Sequence, residues 1–275
     1  MSGAASDRAP ERNVDRTPGD AAPKIRLRGL RKAFGEKVVL DGVDLDIPAG
    51  RSTVILGGSG SGKSVTIKCI LGLIVPDAGT IEVDGRDILA MSARERAAIL
   101  DRTGMLFQNG ALFDSLPVWE NVCFKLLAQR RIARTAARDK AAEALEAVGL
   151  AASVGDMSPA ELSGGMQKRV GLARAIASEP EILFFDEPTT GLDPIMGAVI
   201  DGLIVDCVRR LGATAVSITH DMASARRIGD RAAMLHKGRI VWTGPAGDLG
   251  ETGNAMVDQF ARGEREGPIQ MELRR

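Results

Sequence analysis

The chain has 275 residues, enough for one domain with a full core or one domain carrying an inserted subdomain, and too few for two tandem copies of a domain of that size. Its 36 basic and 36 acidic residues balance to zero formal charge, so no whole-chain field favours nucleic acid or an anionic membrane, and no nucleic-acid partner is expected. Cys69, Cys123 and Cys207 lie far apart inside apolar or amphipathic runs, with no zinc-type spacing, and read as reduced thiols.

Residues 1–23 mix Ala, Pro, Asp and Arg without an apolar stretch; they read as a disordered segment, neither signal peptide nor membrane span. No apolar run approaches the ~20 residues of a spanning helix, so the expectation is a cytoplasmic chain that meets membranes through partners. Residues 24–34 and 38–47 alternate like strands around a turn at Gly35. A β-branched and apolar strand over 52–56 runs into a glycine cluster, and apolar spacing then predicts a helix over 64–74. A strand at 81–83 follows, then a helix opened by a Ser92/Glu95 capping box, then a strand at 103–107. From 109 to 162 the β signal disappears: Pro117 opens one helix, 133–148 forms another closed by Gly149, and Ser158 to Glu161 starts a short third. Helix and strand alternate again from Met166, with helices at 166–178, 195–211 and 222–228 and strands at 182–185, 214–219, 231–235 and 239–242. One amphipathic stretch, 255–261, stands in a charged tail.

Between the strand at 52–56 and the following helix lie Gly57, Gly58, Ser59, Gly60, Ser61, Gly62, Lys63 and Ser64, the full phosphate-loop pattern. Glycines let the backbone wrap phosphates, and successive N–H groups with the helix dipole supply positive potential. Lys63 is suited to the β and γ phosphates and Ser64 to a magnesium ion; the expected binding set runs on to Val65. Ile182-Leu183-Phe184-Phe185-Asp186-Glu187 is an apolar strand ending in two acids, which puts carboxylates at the carboxyl edge of a sheet beside that loop. Asp186 is the expected magnesium residue and Glu187 the expected base for an attacking water. Ser163, Gly164 and Gly165 open a helix after Leu162, forming a second anion-type turn, with Ser163 also a plain helix cap.

With this Leu-Ser-Gly-Gly run, the sequence resembles the ABC transporter ATPases over residues 24–244. The resemblance implies an α/β fold: a P-loop NTPase, RecA-like core (24–108 and 165–245) with an antiparallel β subdomain, an inserted α-helical subdomain (109–164) and a C-terminal extension (246–275). It implies ATP and Mg2+, and a head-to-tail homodimer in which Ser163 to Gly165 of one copy close on the nucleotide held by the other. Gln108 then corresponds to a magnesium-contacting glutamine, His220 to the histidine that contacts the γ phosphate, and Asp193 to the loop that touches the opposite subunit. Thr190 and Gly191 depart from the commoner form of that loop. Phe34 stands where the family usually stacks a tyrosine on adenine, and a core phenylalanine is the competing reading. The implied machine is a two-state clamp.

Phe107 to Val122 and the run from Leu162 to Val170 further resemble the subgroup that energises Mla and Mce lipid transport. That resemblance implies integral membrane permease subunits, periplasmic Mce-type lipid-binding and small cytoplasmic subunits, and a peripheral place on the cytoplasmic face of the inner membrane. Leu112, Phe113, Leu116 and Val118 then offer an apolar surface to a permease helix. The alternatives are an importer ATPase for amino acids or metals, and a soluble non-transport ABC ATPase.

Overall fold

The structure, a computed structural model, describes residues 23–270. Residues 1–22 of the expected N-terminal segment and 271–275 of the expected extension lie outside the described residues, and Pro23 belongs to the first strand. In chain order the elements begin β1 (Pro23–Phe34), β2 (Lys37–Pro48), β3 (Ser52–Leu56), α1 (Lys63–Ile70), β4 (Ala78–Val83), β5 (Arg86–Asp87), α2 (Ala93–Leu100) and β6 (Thr103–Leu106). A helical stretch follows with α3 (Val118–Val122), α4 (Phe124–Ala128), α5 (Arg134–Glu146) and α6 (Gly164–Ile176). The chain continues through β7 (Ile182–Asp186), α7 (Pro194–Leu211), β8 (Thr214–Thr219), α8 (Met222–Ile228), β9 (Arg231–His236), β10 (Arg239–Pro245) and α9 (Ala255–Arg262).

Two sheets result. One is antiparallel in the order β2-β1-β4-β5; the other runs β10-β9-β3-β8-β7-β6, parallel from β9 to β6 with β10 antiparallel at its edge. The central strand β3 is buried throughout, and its pleat sends Val54 and Leu56 into a core shared with α5 to α8 and Ile55 into a core shared with α1 and the antiparallel sheet. A parallel sheet covered on both faces needs strands buried on both sides, as β3 is. β7 divides likewise: Phe185 faces the helical core and Phe184 the other, each burial stabilising by roughly 2 kcal/mol. All the parallel strands end at one edge, so residues following β3, β6, β7 and β8 meet there.

Several elements depart from the sequence pattern for local reasons. α1 stops at Ile70 because Gly72 turns left-handed (φ 68°) and the N–H groups of Leu73 and Ile74 fold back on Lys68 O, leaving Leu73 exposed. The helix opened by Pro117 breaks at Cys123 into α3 and α4, and a 3-10 turn spans Ala152–Asp156. α6 starts at Gly164, capped by Ser163 Oγ on Met166 N, so the expected 164/165 boundary falls inside its first turn. Val118 is fully buried and packs inside the helical stretch, which removes it from the expected permease-facing surface; Phe113 remains exposed, its ring 4.4 Å from that of Phe124. The tail folds back on its own chain: Val257 is buried, and the Gln259 side-chain amide brackets Ile269, Nε2 donating to its carbonyl at 3.0 Å and Oε1 accepting from its N–H at 2.7 Å. Among the described residues no helix is long and apolar enough to cross a membrane.

Candidate functional site

The loop after β3 is shaped by close backbone approaches that admit only glycine. A Cβ on Gly57 would lie 2.3 Å from Leu235 O and 2.7 Å from Ser61 Oγ, and one on Gly62 would lie 2.6 Å from the Leu40 side chain. Gly57 (φ 154°), Gly60 (φ 74°) and Gly62 (φ 108°) all have positive φ. Lys63 is buried, and its Nζ donates to the carbonyls of Gly57 (2.7 Å) and Gly58 (3.1 Å). Ser64 and Val65 stand half-buried in the first turn of α1, which Gly62 opens without any side-chain cap. Ser59 is exposed, and Ser61 Oγ is buried without a hydrogen-bond partner. An uncapped helix start, an orphaned hydroxyl and an ammonium held only by carbonyls form a cradle for an anion.

At the same edge, Glu187 is the meeting point. It follows β7 in a left-handed conformation (φ 46°), fixed by its N–H on Ile218 O at 2.9 Å. Its carboxylate accepts from Thr190 Oγ1 at 3.0 Å and from Gln108 Nε2 at 3.5 Å, and lies 3.4 Å from His220 Nδ1. Left-handed backbone at a non-glycine residue costs about 1 kcal/mol or more, so the surroundings over-determine this pose. Asp186 is held above the usual carboxylate range by burial and by the adjacent Glu187, opposed by Lys68, Lys63 and Lys168. Burial pushes Lys63 and Lys168 below the usual lysine range, and both feel Asp186 and Glu187 in the opposite sense. One compact cluster of carboxylates and buried ammonium groups therefore joins Lys63, Gln108, Asp186, Glu187 and His220 across four strand ends.

The remaining expected residues sit around this cluster. Ser163 and Gly164 are exposed at the start of α6, and Gly165 faces Met196 of α7, where a Cβ would meet its side chain at 3.2 Å. Asp193 is exposed and caps α7, its Oδ1 accepting from Ile195 N (3.0 Å) and Met196 N (2.9 Å). Phe34 ends β1 with 49% of its surface exposed and Lys32 Nζ 5.5 Å from its ring centroid, so it is no core phenylalanine. Two residues at the cluster escape the sequence reading. The Thr190 hydroxyl, on the residue that departs from the commoner loop, bonds directly to Glu187. Lys168 is buried on α6, donating to Gln108 O and, at 3.5 Å, to Glu187 O. Its signal lay in spacing: Lys168, Leu172 and Ala175 share one face of the helix, and the two apolar ones mark that face as buried.

A phosphate cradle between a parallel strand and a helix, with two acids ending a neighbouring strand, defines a nucleoside-triphosphate hydrolase of the phosphate-loop class. The family model described as "ABC transporter" matches residues 40–190, and the chain belongs to that family. It is 42% identical over 249 residues to a protein of Mycobacterium leprae named "Probable ribonucleotide transport ATP-binding protein mkl", covering 90% of this chain and 71% of that one. It is 38% identical to the "Intermembrane phospholipid transport system ATP-binding protein MlaF" of Escherichia coli K12, covering 89% and 91%. Among solved structures it resembles a dimeric ATP-binding cassette in a post-hydrolysis state bound to ADP and Pi, with a TM-score of 0.73 and 32% identity over 81% of this chain and 98% of that one. Fold and family together make this chain an ABC-type ATPase.

Proposed function

We propose that this chain powers phospholipid movement across a bacterial cell envelope as the ATP-hydrolysing subunit of an ABC transporter. It works as a head-to-tail homodimer on the cytoplasmic face of the inner membrane. The observation that carries the chemistry is the convergence on Glu187 of Gln108, Thr190 and His220 beside the Lys63 cradle. In this reading Lys63 and the N–H groups from Gly57 to Val65 bind the phosphates, Phe34 stacks on adenine, and Glu187 accepts a proton from the attacking water. His220 orients that glutamate and reads the γ phosphate. Ser163 to Gly165 and Asp193 of one copy complete the other copy's site, which fits the exposure of Ser163, Gly164 and Asp193.

Ser64, Gln108 and Asp186 suit a magnesium ion: among the described residues no cluster of three His, Cys, Asp or Glu exists to cage a metal, and magnesium is ordinarily held by one or two protein groups plus substrate phosphates. When bound, Mg2+ supplies charge neutralisation at the transferring phosphoryl group.

The lipid substrate rests on the relatives named for phospholipid transport. Permease, Mce-type and small cytoplasmic subunits belong to the same reading. Exposed Phe107, Phe113 and Phe124 beside the Gln108 loop offer the permease an apolar contact. The test is detergent extraction of tagged chain from native membranes, with identification of co-purifying proteins and small molecules. An integral permease with bound phospholipid is the expected result. A ribonucleotide cargo, or recovery with ribosomes or DNA, refutes the lipid reading.

A further inference from the structure

We propose that Lys168 is a positioning residue: from the flank of α6 it ties the backbone of Gln108 to that of Glu187, so that movement of the Ser163–Gly165 turn resets the same chain's hydrolytic geometry. This rests on the ATPase reading above and names a residue that the reading does not require.

The geometry is specific. Lys168 has 5% of its surface exposed, and its ammonium is bonded to Gln108 O and lies 3.5 Å from Glu187 O. Those two residues also meet through their side chains, Gln108 Nε2 to Glu187 Oε2 at 3.5 Å. One buried cation thus fastens, from beneath, the two backbones whose side chains face each other above. No carboxylate lies within ion-pair distance of Lys168 among the described residues, so carbonyls, with the more distant field of Asp186 and Glu187, offset its desolvation. A buried ammonium is costly where an apolar side chain could simply fill the space. Its place here is better explained by directional bonds than by packing.

The rest of α6 makes the coupling stiff. Arg174, half-buried and without a carboxylate partner among the described residues, donates to Gly110 O (2.6 Å) and Ala111 O (2.7 Å). Between the two cations, a Cβ on Gly171 would lie 2.8 Å from the Leu106 side chain and 3.3 Å from Gly110 Cα, so helix and loop touch at backbone level. Stretch 108–111 is therefore gripped at both ends by the helix whose first residues are the Ser163–Gly165 turn. In a head-to-tail dimer that turn serves the partner's nucleotide, whereas Gln108 and Glu187 serve the chain's own. Lys168 thus lies on a physical path by which occupation of one site alters hydrolysis at the other.

The experiment compares wild type, K168M, K168R and E187Q by melting temperature, affinity for a trinitrophenyl-ATP probe, kcat and the Hill coefficient for ATP. The expected result is K168M that binds the probe within about two-fold of wild type while kcat falls about ten-fold and the Hill coefficient drops toward one, the pattern of lost positioning. K168R, which keeps charge and donors, should restore kcat to within about three-fold of wild type. Should K168M yield no folded protein, K168Q, which keeps an N–H donor, is judged by the same criteria. Wild-type kcat and Hill coefficient in the substituted protein, or probe affinity falling in parallel with kcat without recovery in K168R, overturns the proposal. Full turnover by E187Q instead defeats the underlying reading of the site, whatever Lys168 does.

Discussion

Nδ1 of His220 lies 3.4 Å from Oε1 of Glu187, and this contact joins the ends of two adjacent parallel strands, β8 and β7. Because Thr190 and Gln108 approach the other carboxylate oxygen, at 3.0 and 3.5 Å, the glutamate is oriented from three directions before any substrate arrives. Preorganisation of this kind lets a base act without reorganising at the moment of reaction. Substituting Glu187→Gln keeps the shape and removes the base. Turnover is expected to fall at least ~100-fold with nucleotide affinity retained. Phosphate release and fluorescent-nucleotide titration measure the two; undiminished turnover would show that another group takes the proton.

Shared sites make a second expectation. If Lys63 of one copy works with Ser163 of its partner, Lys63→Ala and Ser163→Arg homodimers are each inactive. An equal mixture of the two nevertheless contains heterodimers with one intact site, and should regain up to roughly a quarter of wild-type turnover. A mixture as inactive as its components would mean that the two loops act within one chain, or that one intact site does not suffice.

The parts of this site that were legible in the sequence are those with local grammar. β3 announces itself as a β-branched and apolar run, the glycines from Gly57 to Gly62 mark a tight loop with no room for a side chain at Gly57 or Gly62, and the two acids after Phe185 fall at a strand end whose location follows from topology. Lys168 is marked only indirectly, by the apolar Leu172 and Ala175 on its own helix face. A lysine in a helix otherwise reads as a solvated side chain, and the packing of α6 against the loop after β6 shows that its ammonium is enclosed. The left-handed turn at Glu187 is silent, since it arises from the bond of its N–H to Ile218 on the neighbouring strand. The shortened α1 was within reach: Gly72, just after the C-cap Leu71, is the left-handed glycine that commonly ends a helix, overshadowed by the apolar Leu73 and Ile74 beyond it.

Asp201 illustrates a further tertiary device. It is 1% exposed on α7, accepting from Ser224 Oγ (2.6 Å) and Arg227 Nη1 (3.1 Å) of α8. α7 starts just after its cap Asp193 and α8 lies just after His220, so this bond set holds together the helices behind both. Asp201→Ala should destabilise by about 2 kcal/mol, at the lower end for a broken buried pair because Arg227 can turn to solvent. Urea denaturation measures it. A change under a few tenths of a kcal/mol would show that the network adds nothing to stability.

The last expectation concerns acid. Glu181, just before β7, accepts from Arg102 Nε at 2.7 Å and from Lys24 Nζ at 2.8 Å, tying the entry of the parallel sheet to β1. The Arg102 guanidinium first, and Lys24 second, hold its carboxyl down to about 2, against an ordinary value of 4.5. A carboxyl whose folded-state pKa is depressed stabilises the fold fully above its unfolded pKa. That contribution is lost as pH falls from about 4.5 through about 2, where the folded protein finally takes up the proton. Because the Glu181 side chain is half exposed, solvent and salt screen the pairing, and Glu181→Gln should cost only about 1 kcal/mol at neutral pH. Urea midpoints of wild type and variant, compared at pH 7, 4 and 3, should therefore converge as the solution is acidified. A gap that stays constant or widens would mean that Glu181 supports the fold through packing rather than through its charge.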